Sequence, residues 1–176
     1  MHPSFRGESD LPNGLKRGFA TTNPNARRER QMNDNDAKLT RVYTAVTGGT
    51  VEEDIPDQPD AGEAADPNFD LFIEAAAGNA VGTSGTPYTL TITAVNETKQ
   101  AVLPAPYSSV IATQAFNNAS GWKANGDDFV KTQNITLPVP VPGPSAPNDL
   151  YRFYVSLVTP GLQIASFAES NLFMLV

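Results

Sequence analysis

The sequence contains no cysteine, and its single histidine is the second residue, His2. Without cysteine, disulfides, thiolate catalysis and cysteine-based zinc sites are excluded. Catalysis of the Ser-His-Asp or Cys-His kind requires an imidazole held inside a folded site, which a histidine at the N-terminus does not offer. Phosphate-binding and dinucleotide-binding glycine motifs are also missing. We therefore expect a non-enzymatic protein with no catalytic residues, no cofactor and no metal.

Long apolar segments are absent as well. No run approaches the roughly 18 to 20 apolar residues that a membrane-spanning helix needs, and the first ten residues lack the apolar core of a secretory signal. We therefore expect a chain that is made in the cytoplasm and does not enter membranes. The 15 prolines and 13 glycines in 176 residues favour many short strands and turns over long helices.

Basic residues are scarce beyond the first quarter of the chain. Residues 1–41 hold eight of the twelve Lys and Arg residues against five acidic ones, a net charge of +3. Residues 42–176 hold the other four against fourteen acidic residues, a net charge of −10. A body of this charge repels phosphates, so we expect it not to bind nucleic acid. The basic segment is suited to an acidic partner, including the body of a neighbouring copy.

Residues 1–38 are predicted to form an extended, basic N-terminal arm. Their apolar residues are sparse and lie between prolines, glycines and asparagines, so the segment cannot bury enough surface to offset its ordering entropy. We expect it to order only on a partner surface, with apolar anchors and arginines in contact. The partner-binding residues predicted in the arm are Phe5, Leu15, Arg17, Phe19, Arg27, Arg28 and Arg30.

Residues 39–176 are predicted to form an antiparallel β-sandwich of the Ig-like or jelly-roll type, because seven to nine short strand patterns are separated by turn signals. The clearest alternation lies in residues 69–75 and 88–94, which we expect to pair as a hairpin across a glycine-rich loop. Thr89, Thr91 and Thr93 should be more exposed than the apolar phase, or face a partner subunit. The residues predicted to be buried are Phe69, Leu71, Ile73, Tyr88, Leu90, Ile92, Phe153, Val155 and Leu157.

Two proline-containing segments have special compositions. Residues 51–68 carry seven acidic residues and no basic one, which predicts an extended, solvated acidic loop; a calcium site is the alternative, although the spacing of an EF-hand is missing. In residues 135–142, prolines 138, 140 and 142 remove backbone donors from one and the same edge. This spacing predicts an edge strand or a polyproline stretch.

Trp122, the one tryptophan, has two interpretations. A lone tryptophan in a β-sandwich is more often in the core, and we favour that position. On an exposed loop it would instead be a ligand platform that stacks on a sugar.

These observations favour one class of function and leave two alternatives. The first is a structural or assembly protein, a decoration, cement or minor component of a viral capsid or similar particle, attached through its arm to other copies of itself or to a major shell protein. The second is a carbohydrate-binding or adhesive module with Trp122 and loop tyrosines as its platform. The third is a secreted domain, since residues 69–94 resemble small bacterial extracellular β-domains in the residues Asp70-Leu71, Gly78-Asn79 and Tyr88-Thr89-Leu90.

Overall fold

The fold is all-β. The computed structural model describes residues 32–58, 64–140 and 149–176, apart from the side chain of Ala112, and these residues contain ten strands in antiparallel sheets and only short helical turns. The strands are β1 (Ala37–Val46), β2 (Asn68–Gly78), β3 (Pro87–Asn96), β4 (Ala101–Val102), β5 (Ser109–Ala115), β6 (Lys123–Asn125), β7 (Asp128–Pro138), β8 (Leu150–Val158), β9 (Ala165–Glu169) and β10 (Phe173–Met174). A four-residue helix, α1 (Asn79–Gly82), follows β2.

Two sheets share the strands. The first has the order β1-β2-β7-β6. In the second, β3 and β8 form the centre, with Thr89–Asn96 opposite Tyr151–Val158. The short strands β5 and β4 pair with the other edge of β3, and β9 and β10 pair with the other edge of β8. The second sheet is therefore four strands wide, although six strands contribute to it.

The core lies between these sheets, because one cluster of buried apolar side chains draws on strands of both. All nine residues predicted from the alternating patterns are buried, with at most 3% of each side chain exposed. The period-two interpretation of β2, β3 and β8 is confirmed by these burials. The arrangement is β-sandwich-like.

The predicted hairpin between residues 69–75 and 88–94 is wrong. β2 pairs with β1 and β7, whereas β3 pairs with β5 and β8 in the other sheet. The intervening segment is not an open hairpin loop, because α1 packs against β7: a Cβ added at Gly82 would lie 2.4 Å from the ring of Phe129. This close approach requires glycine at position 82. The segment that contains α1 connects β2 of the first sheet to β3 of the second.

The proline-rich end of β7 lies at a sheet edge, as its spacing predicts. Val139 donates its N–H to the carbonyl of Pro67, on the side of β2. Pro138 therefore has its nitrogen on the opposite side, where β6 pairs only with residues 128–130 of β7. In the described part of the chain, no strand pairs with that side beyond Val130, so the missing donor leaves no hydrogen bond unmade.

The acidic segment forms neither strand nor helix in its described residues, 51–58 and 64–67, but it is not solvated throughout. Asp57 is fully buried, and its carboxylate accepts a hydrogen bond from the N–H of Val176 at 3.1 Å. Met174 donates its N–H to the carbonyl of Asp54 at 2.8 Å. The expectation of a solvated loop is therefore wrong around Asp57, because the C-terminal strand region anchors this part of the segment.

Candidate functional site

The second sheet presents an outer face whose residues form a continuous row across four strands. Phe167 of β9 lies opposite Ser156 of β8, Ser156 lies opposite Thr91 of β3, and Thr91 lies opposite Val110 of β5. Directly opposed residues of antiparallel strands place their side chains on the same face. The row therefore has an apolar side chain at each end and two hydroxyls in the middle.

A second row runs beside the first. Thr93 lies opposite Tyr154, and Tyr154 lies opposite Glu169. Side chains of the two rows, except that of Val110, line an open groove of about 410 Å³. We call this surface the outer face and define it by Thr91, Thr93, Val110, Tyr154, Ser156, Phe167 and Glu169.

The outer face carries large apolar side chains that are exposed to solvent. Phe167 is 74% exposed, Val110 63% and Tyr154 41%. Thr89, Thr91 and Thr93 are each partly exposed, which confirms the prediction that the threonine phase is more accessible than the apolar phase. An exposed apolar strip bounded by polar side chains is typical of a surface that binds another molecule.

Two charged contacts border the groove. The hydroxyl of Tyr154 donates to the carboxylate of Glu97 at 2.8 Å, and this hydrogen bond raises the pKa of Tyr154. Arg152 and Glu169 form an ion pair at 2.9 Å. Both pairs are partly solvated, so they orient side chains at the rim and contribute little to stability.

The chemistry that these residues offer is that of binding. The aromatic rings of Phe167 and Tyr154 supply apolar area, and the threonine and serine hydroxyls supply donors and acceptors. Glu169 is the one carboxylate that lines the groove among the described residues, and Arg152 already pairs with it. A peptide or a sugar ring has the mixture of apolar and hydrogen-bonding groups that fits such a groove.

Trp122 belongs to the core, as the favoured interpretation predicts, and the alternative that makes it a ligand platform is wrong. Its side chain is fully buried, with its ring 5.1 Å from that of Phe116. Its Nε1 donates to the hydroxyl of Tyr88 at 3.2 Å. Among the described residues, the aromatic side chains exposed to a surface ligand are instead those of Tyr154 and Phe167.

The predicted arm residues Phe5, Leu15, Arg17, Phe19, Arg27, Arg28 and Arg30 lie outside the described residues. The described part of the chain contains no group of three side chains able to hold a metal ion. It also contains no helix with the length and apolar character needed to cross a bilayer.

Sequence reasoning found the threonine phase of the outer face but missed Phe167, Tyr154 and Val110. The alternation within a strand does indicate which residues point outward, because Tyr154 alternates with the buried Phe153 and Val155. The register between strands, which brings Phe167 and Val110 into line with Thr91, has no local signal in the sequence.

No protein family model matches the chain, and no curated protein sequence is significantly similar to it.

Proposed function

We propose that the chain is a non-enzymatic assembly protein, a decoration, cement or minor structural component of a viral capsid or similar large particle, attached through its N-terminal arm. In this proposal its body is a β-sandwich of Ig-like or jelly-roll type that binds neither nucleic acid nor membrane. The observation that carries the proposal is the outer face, on which Phe167 and Val110 stand largely exposed at the two ends of one cross-strand row. Burial against a neighbour would remove this apolar area from water.

The occupant that we assign to the outer face is the arm of a second copy of the chain. The arm and the body have opposite net charges, +3 for residues 1–41 and −10 for residues 42–176. Glu97 and Glu169 at the rim of the groove supply carboxylates for arm arginines such as Arg17. Phe5, Leu15 and Phe19 are anchors of the size that an open groove of about 410 Å³ admits.

The test compares the mass in solution of the full chain with that of two charged variants. Phe167→Asp places a charge within the proposed interface, whereas Val51→Asp places one at a similarly exposed apolar residue that is not part of the outer face. We expect the unmodified chain and Val51→Asp to self-associate at increasing concentration, measured by light scattering after size exclusion, and Phe167→Asp to remain monomeric. The proposal is contradicted if the unmodified chain stays monomeric. It is also contradicted if the two variants associate equally.

A carbohydrate-binding or adhesive module is the second candidate, and one observation favours it. The rings of Tyr154 and Phe167 lie beside the hydroxyls of Thr91 and Thr93 in one groove, which is a combination that sugar rings bind through stacking and hydrogen bonds. A monomer that binds oligosaccharides in titration calorimetry, with affinity lost in Phe167→Asp and retained in Val51→Asp, would select this candidate over assembly.

A further inference from the structure

Lys131 is a buried amine that has no acidic partner among the described residues. It lies on the inward face of β7, and only 7% of it is exposed. Its Nζ contacts three neutral oxygens, those of the Tyr88 hydroxyl at 3.1 Å, the Ser120 carbonyl at 2.6 Å and the Gln114 carboxamide. In the described part of the chain it forms no ion pair. Burial of an ammonium without a counter-ion is unfavourable, so it shifts the equilibrium of Lys131 toward the neutral amine.

Gln114 approaches this amine from the other sheet, on β5. Its Oε1 accepts a hydrogen bond from the hydroxyl of Tyr88 at 2.7 Å and is in close contact with Nζ of Lys131. Its Nε2 donates to Oε1 of Gln133 at 3.3 Å. The carboxamide is thus held at both ends, with its oxygen in contact with the amine.

We propose that Lys131 and Gln114 form an intramolecular isopeptide bond that joins the two sheets covalently. The neutral Nζ of Lys131 attacks Cδ of Gln114, and the new N–C bond forms as the bond between Cδ and Nε2 breaks. A proton passes from Nζ to Nε2, which leaves as ammonia. The reaction is the exchange of one amide for another, so no atom is oxidised or reduced and no co-reactant is needed.

The surroundings favour each part of this reaction. Burial lowers the pKa of Lys131, which increases the fraction of nucleophilic amine. The Tyr88 hydroxyl is placed to stabilise the negative charge that develops on Oε1, and the N–H of Trp122 donates to that hydroxyl and strengthens it as a donor. The fold holds amine and carboxamide together, which replaces a bimolecular encounter. Because the bond forms once in the life of each molecule, a slow reaction suffices.

The first measurement is the intact mass of the purified full chain. We expect a mass lower than that of the sequence by one ammonia, and a proteolytic peptide in which the segments around Gln114 and Lys131 remain linked. Asn125-Gly126 can also lose ammonia by closing to a succinimide, so the mass alone is not sufficient. The linked peptide, identified by tandem mass spectrometry, separates the two reactions. An intact mass that matches the sequence, in fresh and aged protein alike, overturns the proposal.

Variants test which side chains form the bond. Gln114→Leu and Lys131→Met should each abolish the linked peptide, whereas Lys123→Met, at an exposed lysine on β6, should leave it in place. Tyr88→Phe keeps the buried ring and removes the hydroxyl, and should slow the appearance of the linked peptide after refolding. A peptide linking the segments around residues 114 and 131 that persists in Lys131→Met contradicts the bond. An unchanged rate in Tyr88→Phe contradicts the role of the Tyr88 hydroxyl.

Discussion

Two buried carboxylates show how neighbouring hydrogen-bond donors determine the direction in which the pKa of a residue shifts. Burial raises the pKa of Asp57, and the N–H of Val176 offsets only part of this effect. Burial acts in the same direction on Asp70, but hydrogen bonds from Thr136, Gly48 and Asn134 outweigh it, and the pKa of Asp70 is lowered. Relative to the unfolded chain, folding therefore shifts Asp70 toward its charged form and Asp57 toward its protonated form.

Asp70→Asn is expected to destabilise the fold at neutral pH. The amide would present its own N–H groups to the donors that now bind the carboxylate, and a buried mismatch of this kind costs about 1–3 kcal/mol. Since the pKa of Asp70 is lowered by folding, its stabilisation is present above the ordinary pKa of Asp and is lost as the pH falls through the lowered value. Urea unfolding of both proteins at several pH values should show the difference shrinking in acid.

Asp57→Asn is the matched control. Because the pKa of Asp57 is raised, its charged form opposes folding once the pH exceeds the ordinary value of Asp, and the neutral amide removes that penalty. The amide oxygen can still accept from the N–H of Val176. We expect no loss in the free energy of unfolding at neutral pH, and an equal loss in both variants would contradict this account.

Trp122 and Phe167 provide a second residue-scale comparison, between a buried and an exposed aromatic side chain. Trp122→Ala should lower the free energy of unfolding by about 3–5 kcal/mol, because it leaves a cavity beside Tyr88 and Phe116. Phe167→Ala should change it by only about 0.5 kcal/mol or less, since the ring is mostly in solvent. Denaturant unfolding of the two variants measures the difference, and similar losses would contradict the assigned positions.

At the scale of the element, the alternation within a strand predicted what lies inside, but not which strand lies beside it. Phe72 illustrates the limit. It falls on the outward phase of β2, yet it is buried, because its ring stacks on Tyr43 of β1 with centroids 5.0 Å apart. The hairpin prediction failed because β2 pairs with the preceding strand β1 and with the distant strand β7, and not with β3, which follows it. Pairing is decided by contacts that are distant in the chain, which a local pattern does not contain.

The edge of β7 gives a prediction about what proline prevents. Pro138→Thr would restore an N–H on the side of β7 that faces no strand of the described chain, and an unpaired donor row promotes pairing with other molecules. We expect little change in the free energy of unfolding and faster aggregation, followed by light scattering at constant concentration. Pro160→Thr, at an exposed proline between β8 and β9, should aggregate like the unmodified protein. Equal rates for the two variants would show that Pro138 does not protect this edge.

At the scale of the whole molecule, the proposed assembly depends on the opposite net charges of the two parts of the chain and on the exposed apolar area of the outer face. The sequence alone shows the opposite net charges of residues 1–41 and residues 42–176, because net charge is a sum over residues and needs no fold. It did not reveal the outer face, because Phe167 and Val110 are 57 residues apart and become part of one row only through the pairing of four strands. The charge division can therefore be read from the composition, whereas the proposed binding surface requires the pairing of the strands.

Removal of residues 1–31 tests whether the N-terminal arm is needed for self-association. The described body begins at Met32, and Gly78 and Val81 donate their N–H groups to the carbonyls of Asp36 and Asp34, so a longer deletion would damage the fold itself. We expect the shortened chain to keep the circular dichroism spectrum and the unfolding midpoint of the full chain but to lose self-association. Added salt should weaken association of the full chain, since charges near the surface are screened within about 10 Å at 0.1 M. If the shortened chain associates as tightly as the full one, the arm is not the assembly device; if association persists but does not respond to salt, its arginines do not provide the attraction.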